Sequence, residues 1–569
     1  MLDTQDPIFQ KLHGAVYTNP EVVNLILDLV GYTVDKPLFT QRLLDPSAGD
    51  GAFLIQAVSR LLSSYKKRNG SIRDTVEALS SCIRGIEINP QAQGLCKQNL
   101  KTVMSSHGLT NIEITQLLDK WLVCEDFLLW NRDLLSSDEY GNSRFDYVVG
   151  NPPYVRQELI PDAKMSLYRS LYSTIYDRAD LYVPFIQHSL ELLTTNGSLS
   201  FICADRFMRN RYGKRLRDFI VSNYQLKYII DMHKTSPFAD DVSAYPAIFV
   251  IFDSSDDESV HVLSMETVDE DSCDKARRVL LNEEQASSND GIVSHRFDYW
   301  VTGDAPWILE SADHHAVLRK LEAEHPLIED ETHGIKVGIG VATGADRVYI
   351  VNPTKQDIDI EAEALLPIVT TRDIASGEIR WSGKYVINPF MSDGSLIDLD
   401  EYPKLKRYFD IHGEVVKNRN VAKKSGAKWY RTIDRIYPEL VGTPKLLIPD
   451  VKADNHIVKD EGRYYPHHNL YYVLPGKWDI DALRAILLSS VVRFFIWSYA
   501  VKMRGDFLRY QAQYLRRIHL PMLDSITDEQ LVALKNPALM ADKETLDRLV
   551  AEIYGLTDSD LEVIRKTVV

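Results

Sequence analysis

The sequence predicts an α/β protein: a Rossmann-like domain with a mixed, mostly parallel sheet wound by helices on both faces, then a C-terminal α+β domain. Three observations lead there. Short apolar runs alternate with amphipathic segments as far as residue 252, the rhythm of parallel strands joined by crossover helices. The first of those runs passes directly into a turn with two glycines, Pro46-Ser47-Ala48-Gly49-Asp50-Gly51. After about residue 253 the alternation gives way to an acidic, Ser-rich connection, then to a region of frequent Gly, Pro and aromatic residues.

Taken in order, the strand-like runs are RLLD (42–45), CIRGIEI (82–88), KWLVCEDF (120–127), FDYVVG (145–150), GSLSFIC (197–203), LKYIIDM (226–232) and YPAIFVIF (245–252). They are short and apolar, as strands covered on both faces must be. Segments such as AFLIQAVSRLLSSY and YVPFIQHSLELLTT repeat apolar residues at helical spacing between them. In such a sheet, ligands sit at the carboxyl ends of the strands. A chain of 569 residues exceeds one compact core. The expected division is a first domain over 1–265, a linker or connecting arm over 266–305, and a second domain over 306–569 that returns to helical periodicity from Asp524.

Composition narrows the functional classes. The N-terminal MLDTQDPIFQKLHG lacks the basic start and apolar stretch of a secretory signal. The most apolar run, Ala485 to Val501, is interrupted by Ser489, Ser490 and Arg493 and is too short to cross a bilayer, so it reads as a buried helix. A cytoplasmic protein of a bacterium or archaeon, with no membrane attachment, is expected. Cys82, Cys96, Cys124, Cys203 and Cys273 are scattered without metal-ligand spacing or an accompanying His cluster, so free thiols and no metal are expected. The net charge of -16 speaks against nucleic acid only if it is evenly spread. It is not: Lys and Arg dominate Lys404 to Arg431 and again Arg493 to Arg517, whereas acids gather in stretches such as DSSDDES.

The chemistry gathers at the strand ends. Gly49 and Gly51 permit a tight turn and close approach of a ligand, beside a new helix with free N–H groups. Glu87 ends the second run, where an acid can hold ribose hydroxyls. Asp126-Phe127 end the third, suited to bond an adenine amino group and cover its face. The fourth run ends in Asn151-Pro152-Pro153-Tyr154, where two prolines stiffen the backbone and leave the carbonyls before and between them to a ligand. A planar exocyclic amine is a poor nucleophile because its lone pair is delocalised into the ring. The Asn151 side-chain oxygen and a proline carbonyl, both accepting its N–H bonds, would draw the nitrogen toward a tetrahedral shape and stabilise the positive charge that develops as a methyl group arrives. Holding the amine in line with a sulfonium methyl supplies the remaining acceleration. Tyr154 can stack on a base turned out of a duplex. Alone, the tetrapeptide specifies a planar amine and no particular molecule.

This ordered set resembles the gamma-class, TaqI-type DNA adenine-N6 methyltransferases of restriction–modification systems, over about Gly14 to Ile251 for the catalytic domain. Tyr17-Thr18-Asn19-Pro20 looks like the N-terminal cofactor motif, with Asn19 where many relatives carry Pro. Asp180-Leu181-Tyr182 and the strand NGSLSFIC resemble the next two motifs after the tetrapeptide, and the segment with Phe238 resembles the loop whose aromatic residue packs on the extruded adenine. The resemblance implies S-adenosylmethionine as cofactor, bound by Tyr17, Thr18, Asp45, Ser47, Ala48, Gly49, Gly51, Glu87, Ile88, Asp126, Phe127 and Asn151. It implies Asn151, Pro152, Pro153 and Tyr154 as catalytic residues, with Tyr154 and Phe238 against the flipped base of double-stranded DNA.

By the same resemblance the C-terminal region recognises the target, entered at Val337 to Asp346 (VGIGVATGAD). Its glycines lack the spacing of a dinucleotide loop or a P-loop lysine. Candidate phosphate contacts are Lys423, Lys424, Lys428, Arg431, Arg504, Arg509, Arg516 and Arg517. Pro449-Asp450 lacks a downstream acid-x-Lys partner, so any cognate restriction endonuclease is expected to be a separate polypeptide, and the methyltransferase a monomer. Competing readings are methyl transfer to RNA or a protein glutamine, whose enzymes usually lack so large a C-terminal region, and to cytosine N4, where Ser more often replaces Asn151. A non-catalytic DNA-binding subunit of a larger defence complex is disfavoured by the intact motifs.

Overall fold

The computed structural model describes residues 18–69, 75–131, 144–238, 245–254, 258–286, 291–298, 300–356, 358–452, 456–500, 502–503 and 507–568. The chain divides into two compact units, Met1–Ala312 and Asp313–Val569.

In the first unit, α1 (Pro20–Leu29) starts with Pro at its first turn and buries Val22, Val23, Leu25, Ile26, Leu27 and Leu29. Each of the seven strand-like runs holds a strand: β1 (Leu43–Asp45), β2 (Ile83–Ile86), β3 (Leu122–Val123), β4 (Phe145–Gly150), β5 (Leu193–Ala204), β6 (Gln225–Asp231) and β7 (Pro246–Phe252). Among the intervening helices are α2 (Ala52–Asn69), α3 (Pro90–Ser106), α4 (Asn111–Trp121), α5 (Asp162–Leu171) and α6 (Tyr182–Glu191). Local chemistry starts them: the Asn89 side chain accepts the Gln91 and Ala92 N–H groups ahead of α3, and Thr110 with Glu113 forms a capping box for α4.

The sheet order is β3-β2-β1-β4-β5-β7-β6, continued by β8 (Val260–Met265) and β9 (Ile292–Phe297). Strands β3 to β5 run parallel, and β7 is antiparallel to both β5 and β6. Neighbouring residues of the central strands point to opposite faces and build two cores. Leu43, Val149, Ile230 and Ile248 pack with α1, α2, α3 and α4, while Leu44, Val148, Ile229 and Phe249 pack with α5 and α6. The stretch 266–305, expected as a connecting arm, carries a helix at Glu270–Leu280 and β9, which pairs antiparallel with β8.

Among its described residues the second unit holds two four-stranded sheets and a three-stranded one. The first sheet pairs Lys336–Ile339, Leu470–Leu474, Lys445–Pro449 and Val458–Asp460 in that order, all antiparallel. The second pairs Ile350–Val351, Tyr385–Ile387, Leu365–Val369 and Tyr465–Pro466. The apolar run expected as one buried helix holds two as far as residue 499, Ile480–Leu488 and Ser490–Tyr499, broken where the Ser489 side chain caps the second; its last residue, Val501, lies outside the described residues. No described helix is long and apolar enough to cross a membrane.

Candidate active site

Parallel pairing of β1, β2, β3 and β4 brings their carboxyl ends to one edge of the sheet, and a cavity of about 310 Å³ opens there. Thr18, Ser47, Ala48, Gly49, Glu87, Ile88, Asp126, Phe127, Asn151 and Pro153 line it together, although they span 136 positions of the chain. The glycine turn is built as its residues require. Gly49 and Gly51 have φ of +55° and +95°, a region favourable to Gly and unfavourable to residues with a Cβ. A Cβ on Gly51 would also lie 2.8 Å from the Cys96 sulfur, so this glycine serves the packing of α2 on α3 and does not line the cavity.

Glu87 ties the turn to β2. One carboxylate oxygen accepts the Gly49 N–H at 2.9 Å and the other the Asn89 N–H at 2.8 Å. Ser47 reaches the other way: its hydroxyl donates to the Asn151 backbone carbonyl at 2.9 Å, joining the glycine turn to the tetrapeptide. The Asn151 side-chain amide donates to the Thr18 hydroxyl at 3.3 Å. Thr18 in turn bridges to Phe238, and Asn19 N–H donates to the Pro237 carbonyl at 3.0 Å. Thr18 and Asn19, the tetrapeptide and the Phe238 segment are therefore joined by one set of hydrogen bonds.

Asp126 is committed to three protein donors: the Leu128 N–H at 3.1 Å, the Tyr168 hydroxyl at 2.6 Å and the Lys164 ammonium at 2.6 Å. An amino group binding there must share or displace one of them. Lys164 and Tyr168 lie on α5 and line the cavity with Leu159, Ile160 and Pro161, none of them expected from the sequence. Asp50 was missed too. It lines the cavity, burial raises its carboxyl above the usual range, and its Oδ1 is buried without a hydrogen-bond partner among the described residues. Such an acceptor suits a ligand ammonium or hydroxyl.

Asp45 lies beneath the turn, only 1 % exposed, and is not part of the lining. Pro152, Tyr154 and Phe238 also lie off it. Tyr154 and Phe238 meet edge to face, with ring centroids 6.3 Å apart, and Phe238 is buried. A base can enter between them only if the rings turn. Tyr17 lies outside the described residues.

In the second unit, Lys423 and Lys428 are exposed, and so is Arg517, which lies over the Tyr499 ring. Arg431 is half-buried. Arg509 is paired with Asp450, and Arg516 with Glu329 at 2.7 Å and the Val337 carbonyl at 2.6 Å, so both hold the fold together. The Lys424 side chain and Arg504 lie outside the described residues.

A glycine turn, two acids at successive strand tips and apolar faces from Phe53, Ile88 and Phe127, gathered around one cavity, fit an adenosine-containing ligand. This fold and site define a nucleotide-cofactor transferase of the methyltransferase type. Comparison with known proteins makes the class particular. Residues 81–238 match the Eco57I restriction-modification methylase family, and residues 366–521 match the TaqI-like C-terminal specificity domain. The chain is 55 % identical to the Type II methyltransferase M.BstVI of Geobacillus stearothermophilus over 98 % of both chains. It is 44 % identical to M.PaeR7I of Pseudomonas aeruginosa, over 97 % of this chain and 93 % of that one, and 40 % identical to M.XhoI of Xanthomonas vasicola, over 97 % and 98 %. Among solved structures, the Type IIL restriction-modification enzyme MmeI in complex with DNA shares the fold, with a TM-score of 0.64 at 13 % identity over 99 % of this chain and 80 % of that one. The chain belongs to the Type II methyltransferases of restriction–modification systems: it is a DNA methyltransferase, and its cofactor is S-adenosylmethionine.

Proposed function

We propose that this enzyme methylates the N6 amino group of adenine in a specific sequence of double-stranded DNA, acting on a base turned out of the helix. The observation that carries the reading is the placement of Asn151 at the end of β4, lining the cavity of the glycine turn with its carbonyl held by Ser47. S-adenosylmethionine supplies an electrophilic methyl group on a sulfonium. The chain's part is orientation and charge. In this reading Glu87 would take the ribose hydroxyls, Asp50 an ammonium, and Ile88 and Phe127 the faces of an adenine; all four line the cavity. The Asn151 side-chain oxygen and the Pro152 carbonyl would accept the N–H bonds of the target amine and stabilise the positive charge on it as the methyl is transferred, the sulfonium leaving as a neutral thioether and the nitrogen then giving up one proton to solvent. Tyr154 and Phe238 are the aromatic pair that parts to hold the target base.

In this reading the exposed basic residues of the specificity region contact phosphates, the enzyme works as a monomer in the bacterial cytoplasm, and a cognate endonuclease is a separate polypeptide. The test is incubation of the protein with methyl-labelled S-adenosylmethionine and, as acceptors, duplex DNA, RNA and protein, followed by separation of the acceptors and of the DNA nucleosides. Label in N6-methyl-2′-deoxyadenosine is expected; label in N4-methyl-2′-deoxycytidine instead, or in RNA or protein glutamine alone, rejects the adenine assignment. Asn151→Ala should lower turnover by at least about a hundredfold, the scale for losing a preorganised donor or acceptor at a developing charge, while cofactor affinity stays within a few-fold.

A further inference from the structure

Among the described residues the chain passes between the two four-stranded sheets of the second unit several times, and two of these crossings meet. One crossing leaves Lys336–Ile339 of the first sheet and reaches Ile350–Val351 of the second; the other leaves Tyr465–Pro466 of the second and returns to Leu470–Leu474 of the first. Asp346 lies on the first crossing, His467 and His468 on the other. We propose that these three side chains form a binding site for a divalent transition-metal ion of the zinc class, which ties the two crossings together.

The ligand atoms available from the three residues lie within 4.8 Å of one another. His467 Nε2 is 2.9 Å from the Asp346 Oδ2, and the two imidazole rings are 4.0 Å apart between centroids. Two imidazoles and a carboxylate are a zinc-type donor set, needing bonds of about 2.0–2.2 Å. The Asp346 carboxylate is already oriented: the Thr343 hydroxyl donates to its Oδ1, leaving Oδ2 toward the histidines. Backbone contacts fix the histidines. A Cβ on Gly340 would fall 2.2 Å from the His467 carbonyl oxygen, and the His468 N–H donates to the Val341 carbonyl at 3.1 Å.

A plain Asp346–His467 ion pair would use only one of the two rings. It leaves His468 unexplained, and both histidines keep a buried Nδ1 without a hydrogen-bond partner among the described residues. Asp434, whose carboxylate accepts the Ala342 N–H at 2.9 Å, adds a second negative charge near His468 and balances a doubly charged ion.

The experiment uses the untagged full-length protein, stripped with chelator, re-equilibrated with zinc or cobalt and freed of excess. Near-stoichiometric metal, an intense visible cobalt band and a melting temperature raised by several degrees are expected. His468→Gln and Asp346→Asn should each lose the metal and the shift while retaining the wild-type circular dichroism. Wild-type protein that retains only trace metal overturns the proposal, as does metal held equally by both variants. Should either variant fail to fold, the wild-type metal content and cobalt spectrum decide.

Discussion

Asp45 sits at the foot of the glycine turn, where loss of hydration pushes its carboxyl up to about 8, the Ser47 N–H offsetting part of that and Glu87 and Asp50 adding repulsion. In the unfolded chain the same group ionises near 3.8. Its contribution to stability is therefore complete below that pH and is lost as the pH rises toward 8. Asp45→Asn keeps an acceptor for the Ser47 N–H and removes the charge, so the variant should gain on the wild type steadily between about pH 4 and 8. Urea unfolding across that range tests it; parallel curves for the two proteins would clear Asp45 of the effect. At this scale the sequence was most legible where a residue ends a strand. Glu87 and Asn151 come directly after β2 and β4, and Asp126 three residues after β3, so pairing of the strands brings them together. Lys164 and Tyr168 gave no such signal, because α5 follows the tetrapeptide through an irregular loop whose path only the packing determines. Asp346 and His467 are 121 positions apart, and no local spacing joins them.

Among the elements, α2 depends on its first turn. Gly51 combines a φ of +95° with close contact to Cys96, so Gly51→Ala introduces backbone strain and a clash. A loss of about 1–3 kcal/mol in unfolding free energy is expected, with weaker cofactor binding because Gly49 and Ala48 of the same turn line the cavity. Calorimetric titration beside thermal unfolding separates the two effects, and an unaltered melting temperature would contradict the packing role. Strands β1, β2 and β4 to β7 could be read because both of their faces are covered, which makes them largely apolar runs. Strand β9 hid for the opposite reason. It is an edge strand with sequence IVSHRF, carrying polar residues on half-exposed positions, and the acids before β8 disguise the continuation of the sheet as a linker.

For the whole molecule, a net charge of -16 means that DNA affinity must come from a local basic surface and fall steeply with salt. Lys423→Glu with Lys428→Glu should weaken binding alike for target and non-target duplexes and flatten the salt dependence, because both side chains are exposed. Binding curves at several salt concentrations test this; a loss confined to the target sequence would make these lysines base readers. Arg509 and Arg516 are poorer probes, since their partners Asp450 and Glu329 would be left uncompensated. The specificity unit also carries a fully buried ion pair, Lys445 with Asp460 at 2.8 Å, directly opposite each other on paired strands. The lysine donates to the Leu440 and Thr443 carbonyls, and the aspartate accepts the Arg463 and Tyr464 N–H groups. Changing either partner alone strands a buried charge at about 3–5 kcal/mol, a large share of a typical domain's stability, whereas a matched apolar pair could be tolerated. Drift at either position alone is therefore costly, and a lineage can exchange the pair only by two coordinated substitutions.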